Sequence, residues 1–118
     1  MKPEERKLID RVERMMQVVG NKWKPAIVFS LVFYGRQRFS ELRRAIPDIS
    51  QKMLTQRLRE LERDGLVERT FHEEIPPRVE YEISALGQSL HPIFKMICDW
   101  GAENEASLLR ANERFDSK

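Results

Sequence analysis

Apolar residues recur along the first stretch of the chain at three- and four-residue spacing: Leu8, Ile9, Val12, Met15, Met16 and Val19. That spacing is one face of a helix and predicts a first helix over residues 4–19, broken by Gly20-Asn21. A second helix is expected from Lys22 or Trp23 to Tyr34, with Pro25 in its first turn, where a missing N–H costs no hydrogen bond. Ile27, Val28, Leu31 and Val32 make it apolar almost all round, the mark of a central buried helix, and Gly35 ends it. Arg36 to Phe39 reads as a short extended segment. Ser40 is expected to cap a brief third helix, about 40–46, that buries Leu42 and Ile46. Pro47-Asp48-Ile49 turns the chain, and Ser50 caps a fourth helix running to about Asp64, before Gly65. Two short helices joined by a three-residue turn have the layout of a helix-turn-helix.

After Gly65 the period drops from 3.6 to 2. Val67, Arg69 and Phe71 alternate with Glu68, Thr70 and His72, and Val79, Tyr81 and Ile83 alternate with Glu80 and Glu82. These are two strands of a β-hairpin, with Pro76-Pro77 at its tip because proline cannot donate to the ladder. Ser84 is expected to cap one long last helix, about 85–112. Its stripe of Leu86, Leu90, Ile93, Ile97 and Trp100 steps by 4, 3, 4 and 3, close to a heptad seam. The fold expected is α+β and mainly helical: a winged helix-turn-helix over 40–64 with a two-stranded wing over 66–84. Helices 1–19 and 85–112 would flank it. That seam, with Met15, Met16 and Val19, offers an apolar surface broad enough to suggest a partner, so both flanking helices are expected to form a homodimer.

A chain of 118 residues, 41% apolar and 34% charged, fits one domain, 1–118, with no repeat or linker. No apolar run approaches the roughly 20 residues of a membrane span, and no apolar segment follows the charged start as in a secretion signal. Cys98 is the sole cysteine, so a cytoplasmic setting is expected. His72, His91 and Cys98 cannot assemble a zinc cluster, and the five glycines form no phosphate loop. No nucleophile–base pair is visible either, so the chain is not expected to be an enzyme or to carry a cofactor.

Net charge is only +2, but it is unevenly spread. Lys22 to Arg63 holds ten Lys/Arg against four acids, or +6, which leaves −4 for the remainder. Such a basic middle is either a phosphate-facing surface or a solvated face with scattered arginines. The fourth helix favours the first. At 100° per residue Leu54, Leu58 and Leu61 share one side. Opposite them stand Lys52, Gln56, Arg59 and Arg63, with Thr55 at the margin and no acid between 52 and 59. Arginine pairs with guanine, glutamine with adenine, and threonine meets the thymine methyl. Arg43 and Arg44, with Arg36 and Arg38 before them, are better placed to clamp phosphates. Ser40 and Ser50 could add hydroxyl or helix-end contacts to phosphate besides capping. Arg78, beside the tip prolines, either enters a narrow minor groove or pairs with Glu73 or Glu74. His72 touches phosphate or water.

Several stretches then resemble one family. Gly20-Asn21-Lys22-Trp23, Arg38-Phe39-Ser40-Glu41-Leu42-Arg43, Ile49-Ser50-Gln51-Lys52-Met53-Leu54-Thr55, the run Leu58 to Val67, Pro76-Pro77-Arg78-Val79-Glu80-Tyr81 and Leu86-Gly87 follow, in order, the HxlR-type winged-helix transcription regulators. The resemblance covers about residue 8 to Gly101. It implies a homodimer joined by its terminal helices, with Ser50, Gln51, Lys52, Thr55, Gln56 and Arg59 on the recognition helix and Arg78 on the wing. Family members that sense oxidants carry a cysteine thirteen residues before the tryptophan of the Lys-Trp pair. That position is Asp10 here, so this sensing thiol is missing. Cys98 is expected to be an inert small hydrophobe.

The expected function is a dimeric, sequence-specific regulator of transcription, acting as a repressor on a pseudo-palindromic double-stranded DNA site. A winged helix that binds an acidic protein through the same basic face is the alternative. A small-molecule effector could lodge between the terminal helices and the body, although no residue cluster marks the place.

Overall fold

The computed structural model describes residues 1–118 and is built of six helices and three strands. Helix α1 spans Pro3–Val19 and α2 spans Lys24–Tyr34. Strand β1, Gln37–Arg38, leads into α3, Phe39–Ala45, and α4, Gln51–Arg63. The hairpin is β2, Val67–His72, and β3, Arg78–Ile83. Helix α5 covers Ala85–Gln88 and α6 covers His91–Asp116.

One core serves all of them. Ile27, Val28 and Leu31 of α2 are buried against Leu42, Ile46 and Ile49, then Leu54, Leu58 and Leu61 of α4 and Leu66 and Val67 entering β2. Full burial of each such side chain contributes about 1.5–3 kcal/mol. Asp48 takes a left-handed φ of 69°, which aspartate tolerates better than most residues and which swings α4 across α3. Gly65, at φ +74°, turns α4 into β2.

Several expectations need correction. The sheet has three strands, ordered β1-β3-β2 and antiparallel throughout, with Gln37 opposite Tyr81 and Arg38 opposite Glu80. Two residues are too few to show a period, and what fixes β1 is buried Gln37, whose amide donates to the Ser30 carbonyl of α2 at 2.9 Å. Ser40 does not cap α3. The helix starts one residue earlier, directly after β1, and Glu41 Oε1 accepts the Arg38 N–H at 3.0 Å. A glutamate at the third helical position reaching back to the cap is the competing device.

The last helix is two helices. Ser84 does cap, its Oγ accepting the Gly87 N–H at 2.9 Å, but α5 ends at Gln88 and α6 begins at His91. Pro92, in the first turn of α6, would clash with the Gln88 carbonyl in a continuous helix and has no N–H to give it. His91 therefore starts α6 and stands edge-on to Phe29 and Phe33, with centroids 5.2 and 5.7 Å away.

The expected seam divides. Leu90 is half-buried and Val19 is buried in the core, while Phe94, outside the stripe, anchors α6. Leu86, Ile93, Ile97 and Trp100 are exposed, Trp100 by 59%. So are Leu8, Val12, Met15 and Met16 on α1. Cys98 is exposed on α6 rather than packed inside. No helix is long and apolar enough to cross a membrane.

Candidate nucleic-acid interface

Helix α4 separates its faces as its sequence requires. Leu54, Leu58 and Leu61 sit in the core, and the opposite side forms an open hollow lined by Gln51, Lys52, Thr55, Gln56, Arg59 and Arg63, with Glu60 and Glu62 at its edge. No hydrophobic residue lines it. Ser50 Oγ accepts the Met53 N–H at 3.1 Å, which satisfies one of the free donors at the start of the helix. The hydroxyl proton of Ser50 stays available.

The acids at the edge are already engaged. Glu60 Oε2 accepts from Arg57 at 2.6 Å, and Lys24 Nζ stands 3.9 Å from Glu60 Oε1. Glu62 Oε2 lies 3.4 Å from Arg69 Nε on β2. Lys52, Arg59 and Arg63 have no carboxylate partner in the chain, so the positive charge of the hollow is uncompensated.

The basic middle is less uniform than its count suggests. Lys24 is 3% exposed and gives its ammonium to the Gln17 and Val18 carbonyls at 3.4 and 3.2 Å, closing the C-terminal end of α1. Arg36 pairs with Glu82 at 3.1 Å and lies 4.0 Å from Glu80, both on β3. Arg57 serves Glu60. Lys24 is thus taken out of the surface, while the charges of Arg36 and Arg57 are offset by their acids. Arg38, Arg43 and Arg44 are exposed and make no ion pair, and Ser40 is exposed in the first turn of α3.

On the wing, Arg78 is held between two acids: Nη2 to Glu74 at 3.2 Å and Nε to Glu80 at 3.5 Å. In the isolated chain Arg78 pairs with Glu74 rather than Glu73. His72 Nε2 completes the cluster, 2.6 Å from Glu80 Oε1 but without the angle of a hydrogen bond. Between β1 and β2, burial raises the Tyr81 phenol above its usual range; Arg69 opposes this and Glu62 adds to it. The phenol is neutral at physiological pH.

Of the eleven residues expected at the interface, five thus line one hollow: Gln51, Lys52, Thr55, Gln56 and Arg59. Arg38, Ser40, Arg43 and Arg44 stand apart on α3 and its approach, Ser50 caps α4, and Arg78 is engaged on the wing. Arg63, on the same polar face one helical turn beyond Arg59, joins them in the hollow.

These features have close parallels. A family model described as the HxlR-like helix-turn-helix matches residues 18–108. The chain is 48% identical over 101 residues to the uncharacterised HTH-type transcriptional regulator YtcD of Bacillus subtilis, covering 86% of this chain and 79% of that protein. A counterpart in Methanothermobacter thermautotrophicus is 47% identical over 90 residues, 76% of this chain and 68% of its own. The crystal structure of ytcD matches with a TM-score of 0.74 over 80% of this chain and 96% of that one. The redox regulator HypR in its reduced form matches at 0.75 and 41% identity, over 85% of this chain and 98% of that one. The chain belongs to the HxlR-like helix-turn-helix family of transcriptional regulators.

Proposed function

We propose that this regulator binds double-stranded DNA as a homodimer, with α4 in the major groove of each half of a pseudo-palindromic operator, and represses by occupying the promoter. The observation that carries this reading is the hollow on α4. There Lys52, Arg59 and Arg63 stand free of carboxylates while the neighbouring acids are tied to Lys24, Arg57 and Arg69. Arg59 offers paired donors to a base edge, Gln56 offers a donor and an acceptor, and Thr55 and Gln51 stand beside them. Arg38, Ser40, Arg43, Arg44 and Ser50 would hold phosphates along the approach. For Arg78 to reach the backbone it must exchange Glu74 and Glu80 for a phosphate, which makes it a weaker contributor than the cations of α4.

The dimer reading rests on the exposed apolar rows of α1 and α6. Two-fold dimers suit half-sites about one turn apart. HypR is a redox regulator; this chain, with Asp10 at the sensing position, would answer to something other than that thiol.

Selection of a random duplex library on the purified protein tests the proposal, with Gln56→Ala/Arg59→Ala run in parallel. A two-fold-symmetric consensus from the wild type that the double variant fails to enrich is the expected result. Enrichment of nothing, or the same consensus from both proteins, overturns it.

A further inference from the structure

A second concavity, of about 400 Å³, lies between the end of α1, the turn after it and the end of α4. Its size is at the lower end for small-molecule sites. Only Met15 and Val18 among its lining residues are apolar. Arg14 from α1 and Arg63 from α4 enter it as guanidinium groups with no carboxylate partner, and Asp64 enters as a carboxylate with no cation. Asn21, also in the lining, has its Oδ1 buried without a hydrogen-bond donor. Leaving such an acceptor unmet costs about 1–3 kcal/mol, and the terminal amide torsion is soft enough to present it to a donor in the cleft. The floor is firm: Lys24 Nζ holds the last-turn carbonyls of α1 and stands 3.9 Å from Glu60 of α4.

We propose that this cleft binds a small zwitterion of the amino-acid type, its carboxylate on Arg14 and Arg63 and its ammonium on Asp64 and Asn21. Two free cations and one free anion facing one small polar space match a ligand carrying both charges better than a simple anion, which Asp64 would repel. Val18, half-buried beside the core, meets a short apolar side chain. Binding has a consequence for the DNA face, and this part rests on the function proposed above. Arg63 and Glu60 line both the cleft and the hollow of α4. A carboxylate that draws Arg63 toward α1 removes one cation from the hollow, so the ligand weakens DNA binding.

The test uses the full-length protein labelled with ¹⁵N and each standard L-amino acid as probe at millimolar concentration. At least one amino acid should shift the amides around Arg14, Asn21 and Asp64 saturably. Arg14→Gln, an exposed substitution outside the DNA face, should weaken that binding roughly tenfold, the worth of one charge-assisted hydrogen bond, while leaving DNA affinity unchanged. No response from any amino acid, or an equal response in Arg14→Gln, overturns the site. Duplexes enriched by the library then read the coupling: the bound amino acid should lower wild-type affinity and, at the same concentration, affect Arg14→Gln far less, a variant that keeps Arg63 and the whole DNA face. Equal affinity with and without ligand overturns the coupling alone. A protein that enriches no duplex sinks the DNA reading, while the amide shifts still decide the ligand.

Discussion

Arg59 and Arg44 carry the same charge on neighbouring helices, yet their removal should be felt differently. Arg59 lies in the hollow of α4 among side chains that can address base edges. Arg59→Ala is expected to cost about 1–3 kcal/mol on the preferred operator and little on a scrambled duplex, which competition binding with the two DNAs will measure. Arg44 is exposed on α3 beyond the hollow, so Arg44→Ala should weaken both duplexes alike and make the salt dependence shallower by about one. At this scale the sequence speaks most clearly where a residue's partner lies within one turn of helix, with Glu41 displacing Ser40 at the start of α3 as the exception. Ser50 and Met53 are such a pair, and the buried row of Leu54, Leu58 and Leu61 on α4 is another. It was silent where the partner came from elsewhere. Arg36 is matched by Glu82, 46 positions on, and Lys24 is taken inside by carbonyls of α1. A count of basic residues cannot separate these from Arg43 or Lys52, because desolvation and pairing are decided only when the elements meet.

Elements were legible in proportion to their length. Helices α1, α2 and α4 and the hairpin lie close to their predicted bounds, since each is long enough to repeat its period and carries its own start or stop signal. The two-residue β1 had no period to read, and the start of α3 passed from Ser40 to Arg38 because Glu41 offered the better backbone acceptor. Pro92 divided the last helix where an apolar stripe alone suggested continuity. The short α5 that results is also a tight fit. A Cβ on Gly87 would lie 2.1 Å from the Leu66 carbonyl oxygen and 2.6 Å from Ile83 Cδ1, so only glycine lets α5 approach the base of the wing. Gly87→Ala should lower stability by about 1–3 kcal/mol, the cost of overpacking against backbone that cannot yield. Thermal unfolding will show this as a reduced Tm. The wing base would be displaced with α5, so DNA affinity should fall more than the loss of stability explains.

At the scale of the whole molecule the shape itself calls for a partner. A compact chain of this length has a radius of gyration of about 13.5 Å. The value here is 17.9 Å, with extents of 61 × 39 × 23 Å. The excess comes from α1 and the far part of α6, which run past the winged-helix body with Leu8, Val12, Met15, Met16, Ile97, Trp100, Leu108 and Leu109 facing outward. Removing such side chains from water contributes about 1.5–3 kcal/mol each, far more together than two isolated helices lose by ordering against one another. In the proposed dimer the same rows would set the distance between the two α4 helices, so assembly and operator recognition should fail together. Ile97→Glu places a carboxylate in the middle of the α6 row at a side chain that is 54% exposed, one turn from Phe94 but outside the buried core. Burying an unpaired carboxylate against a second apolar surface is unfavourable by several kcal/mol. Sedimentation should therefore give twice the chain mass of 14.0 kDa for the wild type and the chain mass for Ile97→Glu, with unchanged helical circular dichroism. Because a monomer can engage only one half-site, its operator affinity should fall by more than the loss of any single contact on α4. A monomeric wild type that still binds a two-fold-symmetric site tightly would show that the exposed rows have another occupant.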